Sequence, residues 1–163
     1  MIMITAMSDE EIKASISKKA IDYGVPTEFS ALYDDLSDAF KESFQSKIVD
    51  EDFGLPIVKY GHSNGNWVII GTRSLAVFNG KIKFIANDEI SLFTTPDSET
   101  ERAKVIQPNR MIRRFEYEIL TIQTHNDSTD IWINKAREYY CFWHMMIRYK
   151  HLKNDPSSYR LEL

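Results

Sequence analysis

The chain has one cysteine, six glycines and five prolines in 163 residues. No apolar run approaches the ~20 residues of a membrane-spanning helix. The lone cysteine, Cys141, excludes an intrachain disulfide and fits a reducing compartment. The opening MIMITAM is too short for a secretory signal and has no basic residue, so a cytoplasmic protein is expected. Basic residues are also in deficit. Twenty against 24 acids leave a net charge of −4, which argues against a dedicated nucleic-acid binder. Catalytic and cofactor signatures are missing too. GHSNGNW (61–67) has neither the Lys-Ser/Thr of a P-loop nor the spacing of a dinucleotide fingerprint, and G-x-S-x-G, H-E-x-x-H and C-x-x-C do not occur. Neither a cofactor nor a metal is expected, and a non-enzymatic role is favoured over catalysis.

What the chain does have is core material: 43% hydrophobic residues, 12% aromatic, at a length that fits one domain. Charge is uneven along it. Residues 1–54 carry −7 and residues 135–163 carry +3, so an acidic front and a basic back can attract one another or serve different partners.

Ser8 followed by Glu11 has the capping-box pattern, and Ile12, Ile16 and Ala20 recur at four-residue steps up to a stop at Gly24. Phe29, Leu32, Tyr33, Leu36, Phe40 and Phe44 predict a second helix from about Thr27, with Asp34, Asp35, Asp38 and Glu42 on its opposite, acidic face. From residue 55 the period changes to that of strands: LPIVKY, NWVIIG, SLAVFN, KIKFIA and EISLF, with a type I′ hairpin at Asn79-Gly80. A polar stretch, TTPDSETERAKVIQPN, predicts a loop with a helical turn. A strand from about Met111 to Thr124 follows, then one over 129–133. In the first of these, Phe115, Tyr117 and Ile119 alternate with Glu116 and Glu118, and LTI then calls for a bulge or for burial on both faces. Asn134 can cap the last helix.

That helix, REYYCFWHMMIRYKHL (137–152), is apolar round most of its circumference, leaving a narrow stripe of Arg137, Cys141, His144, Arg148 and His151. Such an arc needs two neighbours. One is the sheet. The other is either the N-terminal helical pair, through the Phe29–Phe44 face, or a second copy of the chain.

The predicted class is α+β: an antiparallel meander sheet or small barrel closed by a C-terminal helix, with an N-terminal helical pair. One domain spans 1–163, divided into a helical addition (1–48), sheet plus helix (55–153) and a tail (154–163). Over about residues 55–150, this element order and the meander NWVIIGTRSLAVFNGKIKFIANDEI resemble the pleckstrin-homology-like superfold, in particular its GRAM-like and bacterial forms. The resemblance implies that the loop end near Lys59, His62 and Arg73, with Lys81 and Lys83 beyond, takes charged ligands.

The stripe Arg137, His144, Arg148 and His151 has the chemistry to hold a phosphate, a carboxylate or an acidic protein surface. Asp34, Asp35, Asp38 and Glu42 suit a basic protein partner. Cys141 and His144 stand three apart on the helix but lack the second ligand pair a zinc site needs. The leading expectation is therefore a cytoplasmic binding module acting through a protein partner or an anionic small ligand, as monomer or homodimer. Membrane binding is disfavoured, because the overall charge repels anionic lipid. The alternatives are a small hydrolase or transferase using Glu116, Glu118 or His144 in a sheet-edge pocket, and a structural homodimer seamed by the last helix.

Overall fold

The computed structural model describes residues 7–106 and 117–154. In chain order these form α1 (Asp9–Asp22), β1 (Ser30–Leu32), α2 (Asp38–Ile48), β2 (Pro56–Gly61), β3 (Trp67–Gly71), β4 (Ser74–Phe78) and β5 (Ile82–Ala86). Then come β6 (Leu92–Thr94), α3 (Asp97–Ile106), β7 (Ile119–Gln123), β8 (Ser128–Trp132) and α4 (Arg137–Asn154). Strands β1 to β5 pair in sequence as one antiparallel sheet, and β6 to β8 as a second. Among the described residues no ladder joins the two, so the sheets stay open and no barrel closes. The class is α+β with antiparallel sheets.

Helix α1 starts as its sequence dictates. Ser8 Oγ accepts from Glu11 N at 3.2 Å while Glu11 Oε2 accepts from Ser8 N at 3.1 Å, which satisfies two donors a helix start leaves open.

The second helix begins at Asp38, not near Thr27. Thr27 Oγ1 instead accepts from Ser30 N at 3.1 Å in a turn, Ser30–Leu32 joins the sheet edge beside Val58–Tyr60, and Tyr33–Asp35 makes one 3₁₀ turn. The helix cap is Ser37, whose Oγ accepts from Phe40 N at 3.2 Å. The helical spacing misled because Tyr33, Leu36, Phe40 and Phe44 gather in one cluster from different elements. Asp34 and Asp35 therefore precede the helix, and only Asp38 and Glu42 lie on it.

At the β4–β5 turn, Phe78 pairs with Ile82, leaving three connecting residues. Gly80 alone has positive φ, at 90°, and Asn79 N–H donates to Lys81 O at 3.2 Å. A type I′ turn needs positive φ at two residues, so this is a longer connection.

The five-stranded sheet is covered on both faces. Tyr60, Val68, Ile70, Leu75, Val77 and Ile85 join Ile16 and Ala20 of α1, Leu120, Ile122 and Ile131 of the second sheet, and Phe142, Met145, Met146 and Tyr149 of α4. A register shift between Pro56 and Val58 lets both Ile57 and Val58 enter this cluster. On the other face Ile69 and Ala76 meet Tyr33, Phe44, Ile48 and Phe53.

The second neighbour of α4 is therefore α1. The Phe29–Phe44 segment was expected there, but β1 carries the chain across the sheet edge, so α2 lands on the opposite face. Elsewhere, β7 pairs with β8 without a register shift, burying Leu120 and Ile122. Burial on both faces, not a bulge, accounts for LTI, since Leu120, Thr121 and Ile122 are all buried; Phe115 and Glu116 lie outside the described residues. The polar stretch after β6 forms α3, ten residues long. Asn134 does not cap α4: its Oδ1 accepts from Ser63 N at 3.2 Å, and the Ala136 carbonyl receives Tyr140 N–H at 3.1 Å. No helix among the described residues is long and apolar enough to cross a membrane.

Candidate functional site

The basic stripe of α4 is the seam on which the end of α1 rests. His144 stacks on Tyr23, with ring centroids 5.1 Å apart, and lies 4.3 Å from the ring of Tyr140. Cys141 is buried and its thiol donates to the Tyr23 carbonyl. The exposed Arg137 lays its guanidinium across Gly24, where a Cβ would sit 2.5 Å from Nη2 and where φ is 107°. Glycine fits that position on both counts. Burial pushes the Cys141 thiol above its ordinary value, with Arg137 opposing, so the thiolate needed of a nucleophile or ligand is disfavoured. Arg148 follows on the same helix, half-buried, and the side chain of His151 lies outside the described residues.

His62 is 8% exposed at the end of the β2–β3 hairpin, edge-on to Trp132 at 5.3 Å. Its Nδ1 accepts from Asn64 N at 3.0 Å, so that nitrogen carries a lone pair. In the neutral ring the proton is then on Nε2, which faces Glu118 Oε1 at 3.2 Å and donates to it. Both nitrogens are thus engaged, and the ring cannot accept a substrate proton without losing a bond. Glu118 is held in turn, its N–H donating to Glu99 Oε1 at 2.6 Å and its carbonyl receiving Ile133 N–H at 2.8 Å. Glu99, 2% exposed in α3, carries no sequence signal of its role. Of the two expected carboxylates, Glu118 meets His62, and Glu116 lies outside the described residues. This is a strut between the hairpin loop, α3 and β7.

Arg73 is likewise consumed. Its guanidinium bonds Asp9 through Nη2 at 2.6 Å and Nε at 3.3 Å, and bonds Asp52 through Nη1. The contact clamps the start of α1 to the β3–β4 turn. Its hydrogen bond holds the Asp9 carboxyl below its ordinary 3.8. A lowered carboxyl contributes stability above its unfolded value and loses it as pH falls through the folded value. Asp9→Asn therefore lowers the melting temperature at neutral pH, and the difference from wild type shrinks to nothing well below 3.8 in melts recorded across pH. A gap that persists there would mean the asparagine acts through α1 capping instead.

Among the described residues Lys59, like the exposed Lys81, is not bonded to a carboxylate. It lies on the α2 side of the sheet, half-buried, with Nζ 4.4 Å from the ring centroid of Phe40 and 5.9 Å from that of Trp67. Such contacts contribute about 0.5–2 kcal/mol, depending on desolvation.

The expected acids remain at the surface. Asp34, Asp35, Asp38 and Glu42 are all exposed, with Lys13 at 3.0 Å from Asp34 and Lys41 at 3.6 Å from Asp38. Two open hollows lie elsewhere. One, of about 330 Å³, runs between β5 and the turn 124–127 and is edged by the Lys83–Asp127 ion pair. The other, of about 390 Å³, is lined by Glu51, Asp52, Asp88, Glu89 and the committed Arg73. Among the described residues no three His, Cys, Asp or Glu side chains are grouped to hold a metal. Two buried hydroxyls that sequence reasoning missed, those of Tyr60 and Tyr149, have no hydrogen-bond partner among the described residues. No protein-family model, curated protein or solved structure matches the chain.

Proposed function

We propose that the chain is a non-enzymatic cytoplasmic binding module of pleckstrin-homology-like architecture that docks a protein partner bearing a basic face. The meander β2–β5, the meander β6–β8 and the buried helix α4 follow the order on which the resemblance rests, with α1, β1 and α2 as additions. A binding role is supported over catalysis because the polar groups that resemble a site are spent on structure. His62 has both nitrogens bonded, Arg73 is taken by two aspartates, and His144 sits against two tyrosine rings.

One observation carries the choice of partner. The inner side of α2 is buried in an aromatic cluster, while Asp38 and Glu42, with Asp34 and Asp35 just before them, stay in solvent. Among the described residues, these four carboxylates face two contacting lysines, Lys13 and Lys41, leaving a local negative excess. Exposed pairs of this kind contribute only about 0–1 kcal/mol, so a partner's cations can replace them at little cost. Opposite charge then steers encounter and fixes orientation.

The test is affinity copurification from the native host with tagged wild type and with Asp34→Lys, Asp35→Lys and Asp38→Lys combined. The expected result is a stoichiometric basic partner with wild type, and a loss of affinity of at least about tenfold in the reversal. A partner retained by the reversal, or none recovered with wild type, overturns the reading.

A further inference from the structure

We propose that β5 is a docking edge, where an extended peptide with basic side chains at alternate positions adds to the first sheet as a further strand. β5 ends its sheet, with β4 as its one ladder partner among the described residues. Asn79 N–H donates to Lys81 O before the strand and Asn87 N–H donates to Arg73 O after it. Between these bonds Leu75 pairs with Ile85 and Val77 with Lys83. Antiparallel alternation then turns the N–H and C=O of Ile82, Phe84 and Ala86 away from β4. Among the described residues no backbone group meets them there.

The other edges are shorter or already engaged. In β1 the Ser30 N–H donates to Thr27 Oγ1, and its carbonyl receives Thr27 N–H at 2.8 Å. In β8 the Asp130 carbonyl accepts from Asn79 Nδ2 at 2.8 Å. β6 is three residues long.

The two hollows flank the β5 edge, and Phe84 lines both. The hollow of about 330 Å³ opens beside Ile85 and the turn 124–127, on the face that packs against the second sheet. The one of about 390 Å³ opens beside Ala86, Glu51 and Asp52, on the face where Phe84 meets Phe53. Successive side chains of an added strand point to opposite faces, so alternate residues enter each hollow.

Charge selects the occupant. Glu51, Asp52, Asp88 and Glu89 line the second hollow with one guanidinium, that of Arg73, which is bonded to Asp9 and Asp52. Lys or Arg at every second peptide residue complements that excess. The first hollow, beside Phe84, Ile85 and the Lys83–Asp127 pair, takes the apolar residues between them. None of the four acids of the α2 surface takes part, so this edge is a second docking surface.

The test titrates the full chain with an end-capped peptide of about eight alternating lysines and valines, following amide exchange by NMR. The Ile82, Phe84 and Ala86 amides exchange rapidly in the free chain, and saturating peptide slows them by at least about tenfold. Ala86 has φ −64°, which proline adopts, and its N–H serves only the open side. Ala86→Pro therefore keeps the fold and weakens the peptide by about fivefold, the loss of one hydrogen bond. Glu51→Lys combined with Glu89→Lys weakens it by at least about tenfold. Protection of the three amides in the free chain, or exchange that the peptide leaves unchanged, would overturn the proposal. So would an alternating Glu-Val peptide that binds as tightly, or an Ala86→Pro chain with wild-type affinity.

Discussion

Replacing Phe142 by alanine destabilises the protein by about 3–5 kcal/mol, measured as the shift in its urea unfolding free energy. Domains of this kind hold only about 5–15 kcal/mol in total, so the variant sits close to unfolding. Phe142 is fully buried on α4, in the cluster that joins both sheets to α1, and meets the Tyr60 ring edge-on at 5.1 Å. Its removal leaves a cavity between rigid elements that cannot all move inward, which is the costly case.

Tyr60→Phe, at the partner ring, is expected to act in the opposite sense. It removes a buried hydroxyl that has no partner among the described residues and keeps the ring, so stability is unchanged or raised. A small loss for Phe142→Ala would mean that α4 is not enclosed on two sides.

His62→Ala costs about 3 kcal/mol by the same measurement and leaves partner recovery intact in the folded fraction. The substitution deletes two bonds at once, those to the Asn64 N–H and the Glu118 carboxylate, and removes a ring that is 8% exposed and packs edge-on to Trp132. The cost combines the two lost bonds with the cavity left where the ring stood. If stability were unchanged and a function vanished instead, His62 would be a working group and not a strut.

Local features of the fold were legible because local residues decide them. Ser8 and Glu11 make their capping box within one turn, and β2 to β5 follow from short β-rich runs separated by turn residues. The start of α2 was not legible. Tyr33, Leu36, Phe40 and Phe44 keep helical spacing while belonging to a 3₁₀ turn, a connector and a helix, since all that spacing encodes is their shared burial. The apolar breadth of α4 correctly called for two neighbours, yet periodicity carries no information on which helix arrives.

The candidate site was harder for the same reason. Arg73 meets Asp9 across 64 residues, and His62 meets Glu118 across 56. Each looked like an available polar group because its partner is set by topology. The stripe of Arg137, Cys141 and His144 resembled a wet edge until the end of α1 covered it with Tyr23 and Gly24. The surface acids of Asp34–Glu42 were visible as such, their exposure needing only that the opposite residues be buried.

The central claim is that the interior polar groups hold the fold while the acidic α2 surface holds the partner. The most direct measurement is one variant series, His62→Ala and the triple lysine reversal at Asp34, Asp35 and Asp38, scored for both urea unfolding free energy and partner recovery per folded molecule. The predicted result is a double separation: His62→Ala loses stability and keeps the partner, and the reversal keeps stability and loses the partner. A reversal that keeps the partner, or a folded His62→Ala that loses it, contradicts the claim.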